Sequence, residues 1–181
     1  RSAPLFPVWG FPKEATLYGP TPRGPLPPPR VCRIGAQLAR GLQAVHDKGI
    51  VHRDLKPDNI FLLEREGKRD VVKIVDFGLA KLDAGQRLTQ DGTVVGTAEY
   101  ISPEQVTGRD TDARSDQYAL GCILYEMLTS QLPFDGTTTT DVVYKHVYKQ
   151  PNPPPKGRPP DHKQNRPSRR SNQGKRGGVT T

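Results

Sequence analysis

The stretch VHRDLKPDNIFL, residues 51–62, sets two aspartates, a lysine and an asparagine close together. A second stretch, KIVDFGLAK at 73–81, places another aspartate after a short apolar run. Phosphoryl transfer asks for such a set. Mg²⁺ takes hard oxygen ligands, the moving phosphoryl group needs neutralising charge, and a hydroxyl nucleophile needs orienting. Asp54 is a carboxylate able to accept a hydroxyl proton. Lys56, two residues on, brings a positive charge, and Asn59 and Asp76 offer oxygen ligands for a metal. Pro57 stiffens the loop between them. Gly78, after Asp76 and Phe77, permits a backbone turn that aims Asp76 inward.

The surrounding pattern is that of a mostly helical α+β domain. Across 33–47, Ile34, Leu38, Leu42 and Val45 fall on one face and Gly49 follows, which predicts an amphipathic helix with His46 at its end. The runs 60–63 and 71–75, separated by EREGKRD, predict a hairpin that returns residue 76 beside residue 59. DQYALGCILYEML at 116–128 is apolar nearly all round and predicts a buried central helix, with Tyr118, Leu124, Tyr125 and Met127 in the core. Residues 141–148 predict one more helix, capped from the threonine run 137–140.

The ends differ from this middle. Of 19 prolines, 9 lie in residues 1–30 and 7 in 151–181, and only Pro57, Pro103 and Pro133 fall between. The net charge of +8 divides as +3, −2 and +7 over the three parts, so the basic balance belongs to the ends and says nothing of the middle. The reading that follows is a proline-rich disordered or aberrant segment at 1–30, a folded domain at 31–150, and a basic, proline-rich disordered tail at 151–181. A tail of this charge suggests nucleic acid as a partner. The preferred reading is a solvated tail, because no aromatic residue follows 151 to stack on a base. No apolar run approaches the ~20 residues needed to cross a bilayer, and the N-terminus lacks a signal-peptide pattern. Cys32 and Cys122 show no metal-ligand spacing and are read as reduced core residues of a cytoplasmic protein.

HRDLKPDN at 52–59, DFG at 76–78 and SPE at 102–104 resemble, in order and spacing, the catalytic loop, metal-binding motif and activation-segment end of protein kinases. DQYALGCILYEMLTSQLPF from Asp116 is similar to that family's central helix and following turn. GTAEYISPEQ at 96–105 resembles the bacterial "eukaryotic-like" serine/threonine kinases. The resemblance covers about residues 31–155 and implies the large, C-terminal lobe of the kinase fold. It also implies transfer of the ATP γ-phosphoryl, with Mg²⁺, to serine or threonine hydroxyls of protein substrates. Asp54 would be the catalytic aspartate, Lys56 would contact the γ-phosphate, and Asn59 and Asp76 would bind Mg²⁺. Thr97 would orient the substrate hydroxyl, and Phe61 would lie under the adenine. Arg53 would meet a phosphorylated Thr89 or Thr93. His52 and Phe77 would stack in an internal spine, and Asp116 would anchor the loop backbone. Ser102 stands where the family usually has alanine, a mild departure between small residues.

Two parts of the family's pattern are missing from the sequence as read. Residues 1–30 hold no GxGxxG loop, strand lysine or helix glutamate of a smaller, N-terminal lobe. Glu104, which in the family pairs with a distant arginine, has only Arg166 in NRPSRR as a faint candidate. The breaks near residues 30 and 151 suggest a frame-shifted or truncated reading of a longer gene. Low activity of the chain alone is therefore expected, and a non-catalytic kinase-like binding or scaffold module is the rival reading.

Overall fold

The computed structural model describes residues 16–17, 24–77, 98–151 and 153–154. Thr97, Gly78, Thr89, Thr93 and Arg166 lie outside the described residues, as does nearly all of 151–181. The element order is α1 (Pro28–His46), β1 (Ile60–Arg65), β2 (Lys68–Ile74), α2 (Pro103–Val106), α3 (Ala113–Thr129) and α4 (Thr139–Tyr148). Helix thus dominates among the described residues, whose two strands form an antiparallel pair.

α1 starts earlier than its apolar period. Prolines occupy its first turn, where the missing N–H costs nothing and the fixed φ suits a helix. The expected boundary at residue 30 therefore falls inside a helix. Upstream of it, Leu17 and Leu26 are buried. The Leu17 N–H donates to the Ile60 carbonyl at 2.8 Å and the Leu26 N–H to the Met127 carbonyl at 2.8 Å. Thr16 forms a bridge with Phe61. Part of the segment read as aberrant is thus joined to the core. One bridge and two anchors leave no period to detect, and the proline density around them masks the rest.

Ile34, Leu38 and Leu42 of α1 pack with Ala119, Ile123 and Met127 of α3, and Leu55 and Ile60 close the same core. Each fully buried aliphatic side chain here contributes about 1.5–3 kcal/mol. Gly35 lets the two helices approach: a Cβ there would lie 2.8 Å from Leu124 Cδ2. Cys122 joins the core, and burial pushes its thiol up to about 12. Cys32, expected in the core, is exposed. Its position lies about 100° around the helix from the centre of the buried stripe formed by Val31, Ile34, Gly35, Leu38 and Leu42. α3 is less enclosed than its composition predicts. Leu128 and Gly121 face solvent, while polar Ser115 and Asp116 are buried.

The hairpin is longer than predicted. Glu66 and Gly67 form the turn with φ of +51° and +71°, which matches the twist of a two-residue hairpin. Leu63 pairs with Val71 and Arg65 with Lys68, so β2 carries an extra residue between. Asp70, at φ +60°, takes up that bulge. Its carboxylate receives Arg30 Nε and Nη2 at 2.9 and 2.7 Å, fastening α1 to β2. At α4, Thr138 caps the helix by accepting the Asp141 N–H at 3.1 Å, as the threonine run predicts. A second, smaller core joins Ala98 and Ile101 to Val142 and Val143.

Candidate active site

The loop between α1 and β1 is irregular apart from a 3-10 turn at Pro57–Asn59, and its backbone is held from below by α3. Asp116, 1% exposed, accepts the His52 N–H on Oδ2 and the Arg53 N–H on Oδ1, both at 2.8 Å. His46 Nε2 donates to Oδ2 at 2.7 Å. A buried carboxylate costs several kcal/mol unless its lone pairs are filled, and here three donors fill them. Arg53 sits at φ +68°, a left-handed conformation that costs an arginine about 1–3 kcal/mol unless its surroundings impose it. Its N–H to Asp116 is one such restraint. The other is on its carbonyl, which accepts Gln105 Nε2 at 2.7 Å.

Asp54 follows directly. Its N–H donates to His52 Nδ1 at 3.3 Å, and its carbonyl accepts Asn59 Nδ2 at 2.8 Å. Because His52 Nδ1 accepts, the ring proton sits on Nε2, which donates to the Val75 carbonyl at 2.9 Å. The Val75 N–H in turn reaches the Asn59 carbonyl at 3.0 Å. His52, fully buried, therefore ties the loop to the residue before Asp76, and the Phe77 ring lies edge-on to it at 4.9 Å. Lys56 Nζ stands 3.1 Å from Asp54 Oδ2, both side chains partly exposed. Asp76 is exposed and adopts φ +61°. Asp54, Lys56, Asn59 and Asp76 are so gathered at one end of the hairpin. Phe61, half-buried on β1, adjoins them one residue beyond Ile60.

The Asn59 amide, its Nδ2 engaged with Asp54, is oriented with Oδ1 as the acceptor. Asn59 and Asp76 supply oxygen only, and no cluster of three His, Cys, Asp or Glu occurs among the described residues. That suits Mg²⁺, which keeps waters and takes one or two protein oxygens beside substrate phosphates.

α2 closes the other side. Gln105 Oε1 accepts the Ser102 N–H and hydroxyl, both at 3.1 Å. Glu104 accepts the Ser115 hydroxyl. Partial burial acts to raise its carboxyl, but hydrogen bonds from Ser115, its own backbone and Ser102 hold it below the ordinary carboxylate range. Arg166, the faint candidate to pair with Glu104, lies outside the described residues, and Ser115 is a partner that sequence reasoning missed. It also missed Gln105, although Ser-Pro-Glu-Gln carries the S-x-x-Q signature of a capping box. His46 as an Asp116 partner had no sequence signal beyond its place at a helix end.

Residues 16–175 match the family model described as a protein kinase domain. The chain belongs to the protein kinase family. The match begins at Thr16, the residue bridged to Phe61, and so includes residues first assigned to the aberrant segment. Among its relatives, the serine/threonine-protein kinase Pkn2 of Myxococcus xanthus is 42% identical over 149 residues, covering 81% of this chain and 18% of that protein. PknB of Mycolicibacterium smegmatis is 47% identical over 133 residues, 72% of this chain and 21% of that protein. Pkn1 of Myxococcus xanthus is 49% identical over 131 residues, covering 72% and 19%. The chain thus spans about one fifth of the length of these curated relatives. All three carry the name serine/threonine-protein kinase, in agreement with the bacterial class read from GTAEYISPEQ. No helix among the described residues is long and apolar enough to cross a membrane.

Proposed function

We propose that the folded domain, which takes in Leu17, Leu26 and the start of α1 together with residues 31–150, forms the large lobe of a serine/threonine protein kinase site that transfers the γ-phosphoryl of ATP to protein hydroxyls. The observation that carries the reading is the pinned backbone around Asp54, held by His52 on its N–H and Asn59 on its carbonyl. Asp54 accepts the proton of an attacking hydroxyl. Lys56, beside it, sets a cation against the transferred group. Asn59 and Asp76 would hold Mg²⁺, Phe61 would contact the adenine, and Thr97 would steady the substrate hydroxyl. Bound ATP would supply the phosphoryl group, and a divalent metal held by Asn59 and Asp76 would offset charge on its phosphates. Little bond chemistry is left for the protein beyond positioning and electrostatics.

Arg53 is read as the receptor of a phosphorylated Thr89 or Thr93. In support, its Nε is buried without a hydrogen-bond partner among the described residues. His52 and Phe77 serve as the packed link between loop and metal motif, and Glu104 and Asp116 as structural anchors. The test is radiolabel transfer from ATP to a generic serine/threonine substrate, with Mg²⁺ and with chelator. Mg²⁺-dependent transfer that Asp54→Asn lowers by about 10³-fold or more supports the reading. A chain that folds yet transfers nothing leaves the non-catalytic binding module as the better account.

A further inference from the structure

Arg53 is the hinge of this site, and the two groups that fix it come from opposite directions. Asp116, from the core helix α3, takes its N–H. Gln105, from α2, takes its carbonyl at 2.7 Å. The second contact is the less expected. α2 is a single short turn, lying beyond the segment 78–97 in the chain. Gln105 divides its amide between two tasks. Oε1 accepts the Ser102 N–H and hydroxyl and so closes the helix start. Nε2 donates to the carbonyl immediately before Asp54. That carbonyl belongs to the same peptide plane as the Asp54 N–H, which donates to His52 Nδ1. Gln105 and His52 therefore fix one peptide plane from its two polar ends. The rotation of that plane sets the direction of the Asp54 side chain.

We propose that Gln105 is a positioning residue for Asp54. It acts through the Arg53 carbonyl and transmits the placement of α2 to the catalytic aspartate. Gln105, Arg53, Asp54 and Lys56 line one shallow cleft together with Tyr100 and Ala119, so the contact lies at the reacting end of the loop. The inference rests on the phosphotransfer reading of Asp54, and its test separates the two.

Gln105→Glu keeps an oxygen for Ser102 but cannot donate to Arg53. Gln105→Met loses both roles. The 181-residue chain and both variants are compared by carbonyl and amide NMR, by amide exchange, and by phosphotransfer. In Gln105→Glu, the Arg53 carbonyl resonance moves as it loses its donor, and the Asp54 amide exchanges about tenfold faster because its bond to His52 Nδ1 is no longer braced from the other end of the peptide plane. The Val106 and Thr107 amides, which bond to Ser102 and Pro103, stay as they were. kcat falls about 10- to 100-fold while KM for ATP stays within about twofold, because orientation and not binding is lost. Gln105→Met adds loss of protection at Val106. Unmoved Arg53 and Asp54 signals in Gln105→Glu overturn the proposal. So does loss of α2 protection together with the loop, or failure of Gln105→Glu to fold, since either makes Gln105 merely structural. If the unsubstituted chain transfers no phosphate, the proposed function falls, while the NMR arm still decides whether Gln105 fixes the Asp54 peptide.

Discussion

Asp116 Oδ1 accepts the Arg53 N–H at 2.8 Å across 63 positions of sequence. The same carboxylate takes His52 and His46 on its other oxygen. The loop thus gains its shape from a helix formed far downstream, and the charge sits where water does not reach. Asp116→Ala strands two backbone donors and one imidazole donor at once. The expected loss is about 3–5 kcal/mol, the range for breaking a buried charged network. Asp116→Asn keeps one acceptor and turns an NH₂ toward a donor, for about 1–3 kcal/mol. Urea unfolding of both variants measures this. A shift below about 1 kcal/mol for the alanine variant would mean that the network adds no more than a surface contact does.

Asp76 presents an opposed pair of effects. Its φ of +61° is a conformation glycine adopts freely and aspartate does not. Asp76→Gly removes the strain with little packing to lose, since the side chain is exposed. Stability should hold or rise by up to about 1 kcal/mol. Mg²⁺-dependent phosphotransfer and the response to a Mn²⁺ titration should both disappear. Retained metal binding in Asp76→Gly would remove Asp76 from the ligand set.

The contrast explains which parts of the molecule are legible in its sequence. Asp54, Lys56, Asn59 and Asp76 stand out because their side-chain types and spacing match the protein kinase motifs. α1 and α3 stand out because Ile34, Leu38 and Leu42, or Ala119, Ile123 and Met127, repeat at helical intervals. Leu17 and Leu26 do not, because single anchors in proline-rich chain carry no period. Cys32 misleads because a cysteine is apolar by type while its helix position faces solvent. Gln105 and Ser115 are silent for another reason. Their partners, Arg53 and Glu104, are met only after the chain has folded back on itself.

Asp70 supplies a test by acid. The Arg30 guanidinium hydrogen-bonds its carboxylate and, with Arg33 nearby, holds its pKa below the ordinary 3.8 despite partial burial. A carboxyl whose pKa is depressed on folding adds stability above its unfolded value and loses it as pH falls through the folded one. Asp70→Asn tolerates the positive φ but loses the ion pair. It should cost about 1–2 kcal/mol near pH 7. The gap to the unsubstituted chain should close only below pH 3.8, as the native carboxyl protonates. Denaturant midpoints across that window check it, and a gap that persists at full protonation would place the effect in packing instead.

His146 titrates in a separate window. It is 3% exposed on α4, packed on Phe134 with ring centroids 4.7 Å apart, and its Nδ1 lies 2.7 Å from the Tyr118 hydroxyl. Burial pushes its pKa down from 6.5 to about 4. The folded state then binds fewer protons than the unfolded one between these values. Stability is complete above pH 6.5 and is lost as pH falls toward 4, by at most about 3 kcal/mol. His146→Phe keeps a ring in the site and removes the titration. It leaves the Tyr118 hydroxyl without its acceptor, so near pH 7.5 it should cost about 1 kcal/mol. As the pH falls the unsubstituted chain should lose stability faster, so the two curves should meet near pH 6 and cross, leaving His146→Phe the more stable by about 1 kcal/mol at pH 5. Urea unfolding at pH 7.5, 6 and 5 reads this directly. Parallel curves would show that protonated His146 is accommodated in the fold, either by water entering beside it or by α4 moving away from Phe134.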